Sequence, residues 1–318
     1  MKILITDKMA EEAIQLFKNA EHEVKYEEID GATILKIIAG YDAIMIRGRT
    51  KVVTDIVNAG AQGNLKVIGR AGIGVDNVDI ETAAKHGIKV VNAPTGSVIS
   101  VSELAIAHML ALVRNIPKSD VSMKKSEWLK KQLKGTELHE KTLGLIGSGN
   151  IAQYTAKLAN AFGMNVLVYS PHCTKEKAKK MGAKLSTLEE ILKQSDFVSL
   201  HIPHSKTSHH LINKQNISYM KKSAYLIDCS RGGNVDENAL YNALSKGEIA
   251  GAGLDVFETE PPEKTNKLLT LENVVLTPHI GANTKEGQIR AGTICAEQIL
   301  KVLDGKEPDF CVNKHLIK

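Results

Sequence analysis

The chain has 318 residues, 43% of them apolar, 24% charged and only 4% aromatic, and carries a formal charge of +5 at pH 7. That length is more than one compact core usually serves, so two domains are expected, and the lack of any apolar run of about 18 residues speaks against a membrane span. Basic residues spread along the chain with so few aromatics argue against a nucleic-acid surface and suit a small anionic ligand.

The N-terminal MKILITDK runs straight into a strand pattern with no secretion-type apolar stretch, which points to the cytoplasm. Strand-length apolar runs then alternate with helical stretches. The first set is Ile3–Thr6, Ala43–Ile46, Val67–Ile68 and Lys89–Val91, with no nucleotide turn before Pro94. The cations Arg47, Arg49, Lys51 and Arg70 stand near its strand ends. A long apolar helix, VISVSELAIAHMLALVRNI from Val98, leads to a second set of six strands: Leu143–Ile146, Asn165–Tyr169, Phe197–His201, Ala224–Asp228, Gly251–Asp255 and Val274–Leu276. A last helix is expected over Lys285–Leu303. This alternation predicts an α/β protein with two Rossmann-like parallel-sheet domains.

Between the first two strands of the second set lies GLIGSGNIA, Gly144 to Ala152. Gly147 permits the tight turn, Gly149 lets the backbone approach a pyrophosphate, and Ala152 stands where helix and strand pack closely. The anion is expected on the N-terminus of the following helix, Ile151–Phe162. The next strand ends at Ser170, where an acidic residue normally holds the adenosine ribose. NAD is the expected cofactor. NADP stays open, because Ser170 does not repel a 2'-phosphate and His172 and Lys175 are close by. The histidines His201, His204, His209 and His210 lack nearby Cys or an H-E-x-x-H pattern, so no metal is expected there and the segment reads as a loop near the cofactor. Cys173, Cys229, Cys295 and Cys311 are widely spaced and are expected to be reduced.

Arg231, Glu260 and His279 follow in CSRGGNVDE, GLDVFETEPP and LTPHIGAN, and Arg231, Asp255 and His279 fall at or just past strand ends, where open α/β sheets bind ligands. A cation can hold a carboxylate and polarise a C2 oxygen. An imidazole can exchange the hydroxyl proton as hydride leaves C2 for a nicotinamide, and an acid can orient that imidazole. Each residue alone is as well explained by a surface cation or a loop histidine; their common placement is what joins them.

The chain resembles the D-isomer-specific 2-hydroxyacid dehydrogenase family along nearly its whole length. The resemblance is carried by GRAGIGVDNVDIETA from Gly69, NAPTGSVISVSELAIAHMLALVRNIP from Asn92, WLKKQLKGTEL from Trp128, EKTLGLIGSGNIA from Glu140 and the three segments just quoted. It implies a discontinuous substrate domain, 1–97 plus 283–318, with a dinucleotide-binding domain, 98–282, inserted between its parts. It implies Arg231, Glu260 and His279 as the catalytic residues. The implied cofactor contacts are Gly147, Gly149, Asn150, Ile151, Ser170, Pro171, His172, His201, Pro203, Thr207, Cys229, Ser230, Asp255, His279 and Gly281, with Asp255 on the nicotinamide carboxamide. Amides around Ile73, Gly74 and Val75, with Arg231, would hold the substrate carboxylate. Arg47, Arg70, Lys130 and Lys131 are candidates for a distal phosphate, the two lysines reading otherwise as a solvated helix face. The region Val101–Val113 implies a homodimer, and no regulatory domain is expected beyond the last helix. Three readings stay open: oxidation of a phosphorylated 2-hydroxy acid, reduction of a smaller 2-oxo acid such as glyoxylate or hydroxypyruvate, and non-enzymatic dinucleotide sensing.

Overall fold

The computed structural model describes residues 1–317. The chain divides into two compact units, Met1–Val98 with Ala282–Lys318, whose Lys318 lies outside the described residues, and Ile99–Gly281.

The first unit holds five parallel strands, β1 (Lys2–Ile5), β2 (Glu23–Tyr26), β3 (Ala43–Ile46), β4 (Val67–Arg70) and β5 (Lys89–Asn92), in the order β2-β1-β3-β4-β5. Helices α1 (Glu11–Asn19), α2 (Gly31–Ile37), α3 (Thr54–Ala61) and α4 (Ile80–Lys85) connect them. Strand side chains alternate between two cores: Ile3, Ile5, Met45 and Val67 enter one, and Leu4, Ile44, Ile46 and Ile68 the other. Burial on both faces is why these strands read as continuous apolar runs.

In the second unit α5 (Val98–Val113) and α6 (Ile116–Lys124) lead into seven parallel strands. These are β6 (Thr142–Ile146), β7 (Asn165–Tyr169), β8 (Lys184–Leu185), β9 (Phe197–Leu200), β10 (Tyr225–Asp228), β11 (Gly251–Leu254) and β12 (Val274–Leu276). Helices α7 (Asn150–Ala161), α8 (Lys175–Lys180), α9 (Leu188–Gln194), α10 (Lys214–Ser218) and α11 (Glu237–Ser245) cover the sheet. The order β12-β11-β10-β9-β6-β7-β8 reverses direction between β6 and β9, which makes that gap the topological switch point where such sheets bind nucleotides.

The two parallel-sheet α/β architecture matches the sequence expectation, with three differences of detail. Edge strands β2 and β8 join the sheets; the first is EVKY and largely solvent-facing, and the second is only two residues long, so neither carries an apolar run. The helix expected over Val98–Ile116 stops at Val113, because Asn115 turns to φ +53°. Pro117 then opens α6, where a missing N–H costs nothing, and the two helices are bent by 62°.

The chain returns to the first unit through α12 (Lys285–Leu303). This helix lies so close to β4 that a Cβ on Gly69 would stand 2.8 Å from Cys295 Sγ. Beyond it, Val312 N–H donates to Val90 O at 2.8 Å, and the buried Asn313 side chain accepts Val90 N–H and donates to Ile88 O, both at 2.9 Å. These bonds fasten the C-terminal segment along β5. Among the described residues no single helix is long and apolar enough to cross a membrane.

Candidate active site

β10, β11 and β12 are neighbours in the second sheet, and the loops leaving them carry Arg231, Glu260 and His279. His279 Nδ1 lies 2.6 Å from Glu260 Oε2, and Phe257 N–H donates to Glu260 Oε1 at 3.1 Å. The Glu260 loop is tied to the start of α11 by a reciprocal exchange: Glu258 N–H donates to Glu237 Oε1 at 2.7 Å, and Glu237 N–H to Glu258 Oε1 at 3.0 Å. The hydrogen bond with Glu260 raises the pKa of His279 above the ordinary imidazole value, against the opposing effect of burial. Burial alone would raise Glu260, but the bond and charge of His279, helped by the Phe257 amide and Arg231, hold it below the usual carboxylate range. Nδ1 is therefore the donor to Glu260, and Nε2 is left to exchange a proton.

His279 has φ +52°, a left-handed conformation that a side chain seldom adopts unless its surroundings fix it. Asp255, fully buried just past β11, does the fixing. Its backbone carbonyl accepts His279 N–H at 2.8 Å, its Oδ1 accepts Thr277 Oγ1–H at 2.6 Å and Ile280 N–H at 2.8 Å, and its Oδ2 accepts Gly281 N–H at 2.8 Å. Sequence reasoning gave Asp255 a cofactor contact; in the structure both of its oxygens hold the His279 turn.

Past β10, Asp228 Oδ1 accepts Ser230 N–H at 2.7 Å and its hydroxyl at 2.6 Å, and Asn234 Nδ2 donates to Ser230 Oγ at 3.2 Å. Burial raises Asp228 to about 7, with Ser230 and Arg231 pulling the other way. Arg231, half-buried, donates to Ser230 O at 2.7 Å. Gly232 packs so tightly that a Cβ there would meet the Phe257–Glu258 backbone, which locks the Arg231 loop onto the Glu260 loop. Asp228, Asn234 and Thr277 were not foreseen. Asp228 and Thr277, polar residues at or next to the C-terminal ends of β10 and β12, leave only that position as a signal, and Asn234 leaves none.

The nucleotide turn joins β6 to α7 at the switch point. Gly147 has φ +115°, and a Cβ on it would stand 2.9 Å from the carbonyl carbon of His201, so only glycine fits. Gly149, exposed and with open space where a Cβ would lie, is the N-cap of α7, and no side chain caps that helix. Ala152 is fully buried at the helix–sheet contact. An exposed, uncapped helix N-terminus with room for close backbone approach fits a dinucleotide pyrophosphate. Asn150 and Ile151 begin the helix, and Ser102 Oγ–H donates to Ile151 O at 3.1 Å.

The other expected cofactor residues lie at the ends of neighbouring strands. Ser170 follows β7, its hydroxyl accepting His172 N–H at 3.4 Å and keeping its own proton to donate; Pro171 and His172 are exposed. His201 turns its ring inward, Nε2 lying 3.0 Å from Ser199 Oγ, and burial lowers its pKa to about 4. Pro203 and Thr207 are exposed in the loop after β9, whereas Cys229 is buried and its thiol pKa is pushed up. His204 and His209 meet at 3.2 Å, but among the described residues no three such ligands converge on a metal position.

In the first unit the amides of Ile73, Gly74 and Val75 find no acceptor among the described residues, and the Arg70 guanidinium lies over Gly72. Arg47 follows β3, half-buried, with Nη1 donating to Lys8 O at 3.2 Å. Arg49 is committed elsewhere, to Asp7 at 3.2 Å and to the Thr6 carbonyl. Lys130 and Lys131, the candidate phosphate contacts, are exposed on a turn after α6, so the alternative reading of them as a solvated helix face does not hold.

The family model for the NAD binding domain of D-isomer specific 2-hydroxyacid dehydrogenases matches residues 106–281. The chain belongs to this family. It is 48% identical over 314 residues to D-3-phosphoglycerate dehydrogenase of Methanocaldococcus jannaschii, covering 98% of this chain and 59% of that protein. The chain thus spans less than two thirds of the length of that dehydrogenase. It is 46% identical over 305 residues to hydroxypyruvate reductase of Thermotoga maritima, covering 95% of this chain and 98% of that one. The solved structure of a D-2-hydroxyisocaproate dehydrogenase superimposes with a TM-score of 0.88 at 27% identity, covering 98% of this chain and all of that one.

Proposed function

We propose that the chain oxidises 3-phospho-D-glycerate to 3-phosphohydroxypyruvate, the first step of serine synthesis, with NAD as cofactor. The observation that carries the dehydrogenase chemistry is the 2.6 Å contact between Glu260 and His279 beside Arg231. Similarity to the phosphoglycerate dehydrogenase supports the substrate. Arg231 clamps the substrate carboxylate and the C2 oxygen. His279 Nε2 takes the C2 hydroxyl proton, and Glu260 supports the resulting imidazolium. Gly147, Gly149 and Asn150 would hold NAD, which would supply the hydride acceptor for C2 as that carbon becomes a carbonyl. In reduction His279 returns the proton.

Arg47 and Arg70 supply positive charge for the distal phosphate. Replacing Arg47 by Ala should raise KM for phosphohydroxypyruvate about 10- to 100-fold, the scale of one charge-assisted hydrogen bond, with little change for glyoxylate. Equal effects on both substrates would remove the phosphate site from the account.

A second reading, reduction of hydroxypyruvate or glyoxylate, is favoured by the match to nearly the whole length of the Thermotoga maritima reductase. Ser170, which has no carboxylate to repel a 2'-phosphate, also leaves NADPH admissible. We further propose a cytoplasmic homodimer. Most of the apolar face of α5 is buried within its own unit, and the exposed apolar residues Ile116, Val121, Met123 and Trp128, along α6 and the turn after it, supply the patch a second copy would cover.

A further inference from the structure

One buried titratable side chain is unused by the chemistry above. His108 lies on α5, 2% exposed, with its ring against Gly253 of β11; a Cβ on that glycine would stand 2.8 Å from His108 Cβ and 3.0 Å from its Cγ. Its Nε2 lies 3.0 Å from Thr277 Oγ1. Thr277 has one hydroxyl proton and gives it to Asp255 Oδ1 at 2.6 Å, so toward His108 it can only accept. Nε2 of His108 must therefore carry the proton. Burial lowers the pKa of this histidine, with Asp255 and the Gly253 backbone pulling the other way, and its buried Nδ1 makes no well-formed hydrogen bond, so the ring is neutral with its proton on Nε2. The charged group facing it is Asp255. The bonds thus run in one direction, from His108 through the Thr277 hydroxyl to the carboxylate that also receives Ile280 and Gly281 N–H.

We propose that His108 is a positioning residue for the dehydrogenase reaction: by donating to Thr277 it directs that hydroxyl onto Asp255 and so holds the left-handed turn that presents His279 to Glu260. The inference rests on reading His279 as the acid-base group. Without the donor, the partly buried Thr277 hydroxyl loses the partner that directs it onto Asp255, one hold on Asp255 is weakened, and the turn can relax toward negative φ, carrying the imidazole away from Glu260.

The test compares His108→Leu, which removes the donor, with His108→Gln, whose amide nitrogen reaches the place of Nε2. The readouts are the NMR titration of the His279 ring, faced by Glu260, Asp255 and Arg231, and kcat with its pH profile. In His108→Leu the pKa of His279 should fall toward about 6.5 and kcat should drop about 10- to 100-fold with KM for the cofactor little changed; His108→Gln should restore both. Thr277→Val cuts the same link from the loop side, should shift the His279 titration alike, and decides the matter should His108→Leu not fold. An unshifted titration in the folded variants, or equal loss of kcat in the Leu and Gln variants, would overturn the proposal. A wild-type chain that turns over no 2-oxo acid would overturn the dehydrogenase reading alone, because the titration judges His108 without turnover.

Discussion

Glu260 and His279 set each other's protonation, and the sign of their coupling is testable. The pKa of His279 is raised, so its imidazolium persists to higher pH than a free imidazole would allow, and reduction, which needs that proton, persists with it. Oxidation needs the neutral ring and gains as pH rises through the same pKa. The pair also links to stability: the part from His279 is complete below the unfolded histidine pKa of about 6.5 and is lost as pH rises through the folded one. The part from Glu260, whose pKa is lowered, is present at neutral pH and lost on acidification. Glu260→Gln should therefore bring the alkaline limit of reduction down toward pH of about 6.5 and lower kcat at pH 8 by about 10- to 100-fold. A rate–pH profile that does not move would leave Glu260 without this role. Arg231, Glu260 and His279 were legible because each sits in a distinctive segment that follows a strand. Thr277 and His108 were not, because their significance is a contact between α5 and the β12 loop that no local pattern encodes.

At the scale of elements, the β6–α7 turn is the most constrained piece of the second unit. Gly147 combines a φ of +115° with a close approach to the His201 carbonyl, so Gly147→Ala should distort the turn and raise KM for NADH at least about tenfold while the Glu260–His279 pair is undisturbed. Steady-state kinetics with varied NADH checks this, and an unchanged KM would separate the turn from cofactor binding. The turn was readable from Gly144 to Ala152 because strand, glycine spacing and helix agree. The strands with two buried faces were readable for a similar reason, whereas β2 and β8, edge strands with little apolar character, left no comparable trace. The break between α5 and α6 was also hidden: apolar character continues through Ile116, and only the left-handed Asn115 and Pro117 divide the helix.

At the scale of the molecule, the first unit is assembled from both ends of the chain. Its C-terminal part is held by the packing of α12 on β4 and by the Asn313 bonds to β5, contacts between residues more than two hundred positions apart that no sequence window could reveal. The exposed Ile116, Val121, Met123 and Trp128 predict that sedimentation will give twice the chain mass of 34.6 kDa, and a monomeric mass would end the dimer proposal. The central claim, a phosphorylated 2-hydroxy acid as substrate, is tested most directly by initial rates of reduction of phosphohydroxypyruvate, hydroxypyruvate and glyoxylate, each with NADH and with NADPH. The kcat/KM for phosphohydroxypyruvate with NADH should exceed the others by about a hundredfold, in keeping with one or two charge-assisted phosphate contacts. A preference for hydroxypyruvate or glyoxylate, above all with NADPH, would contradict it and make the reductase reading correct.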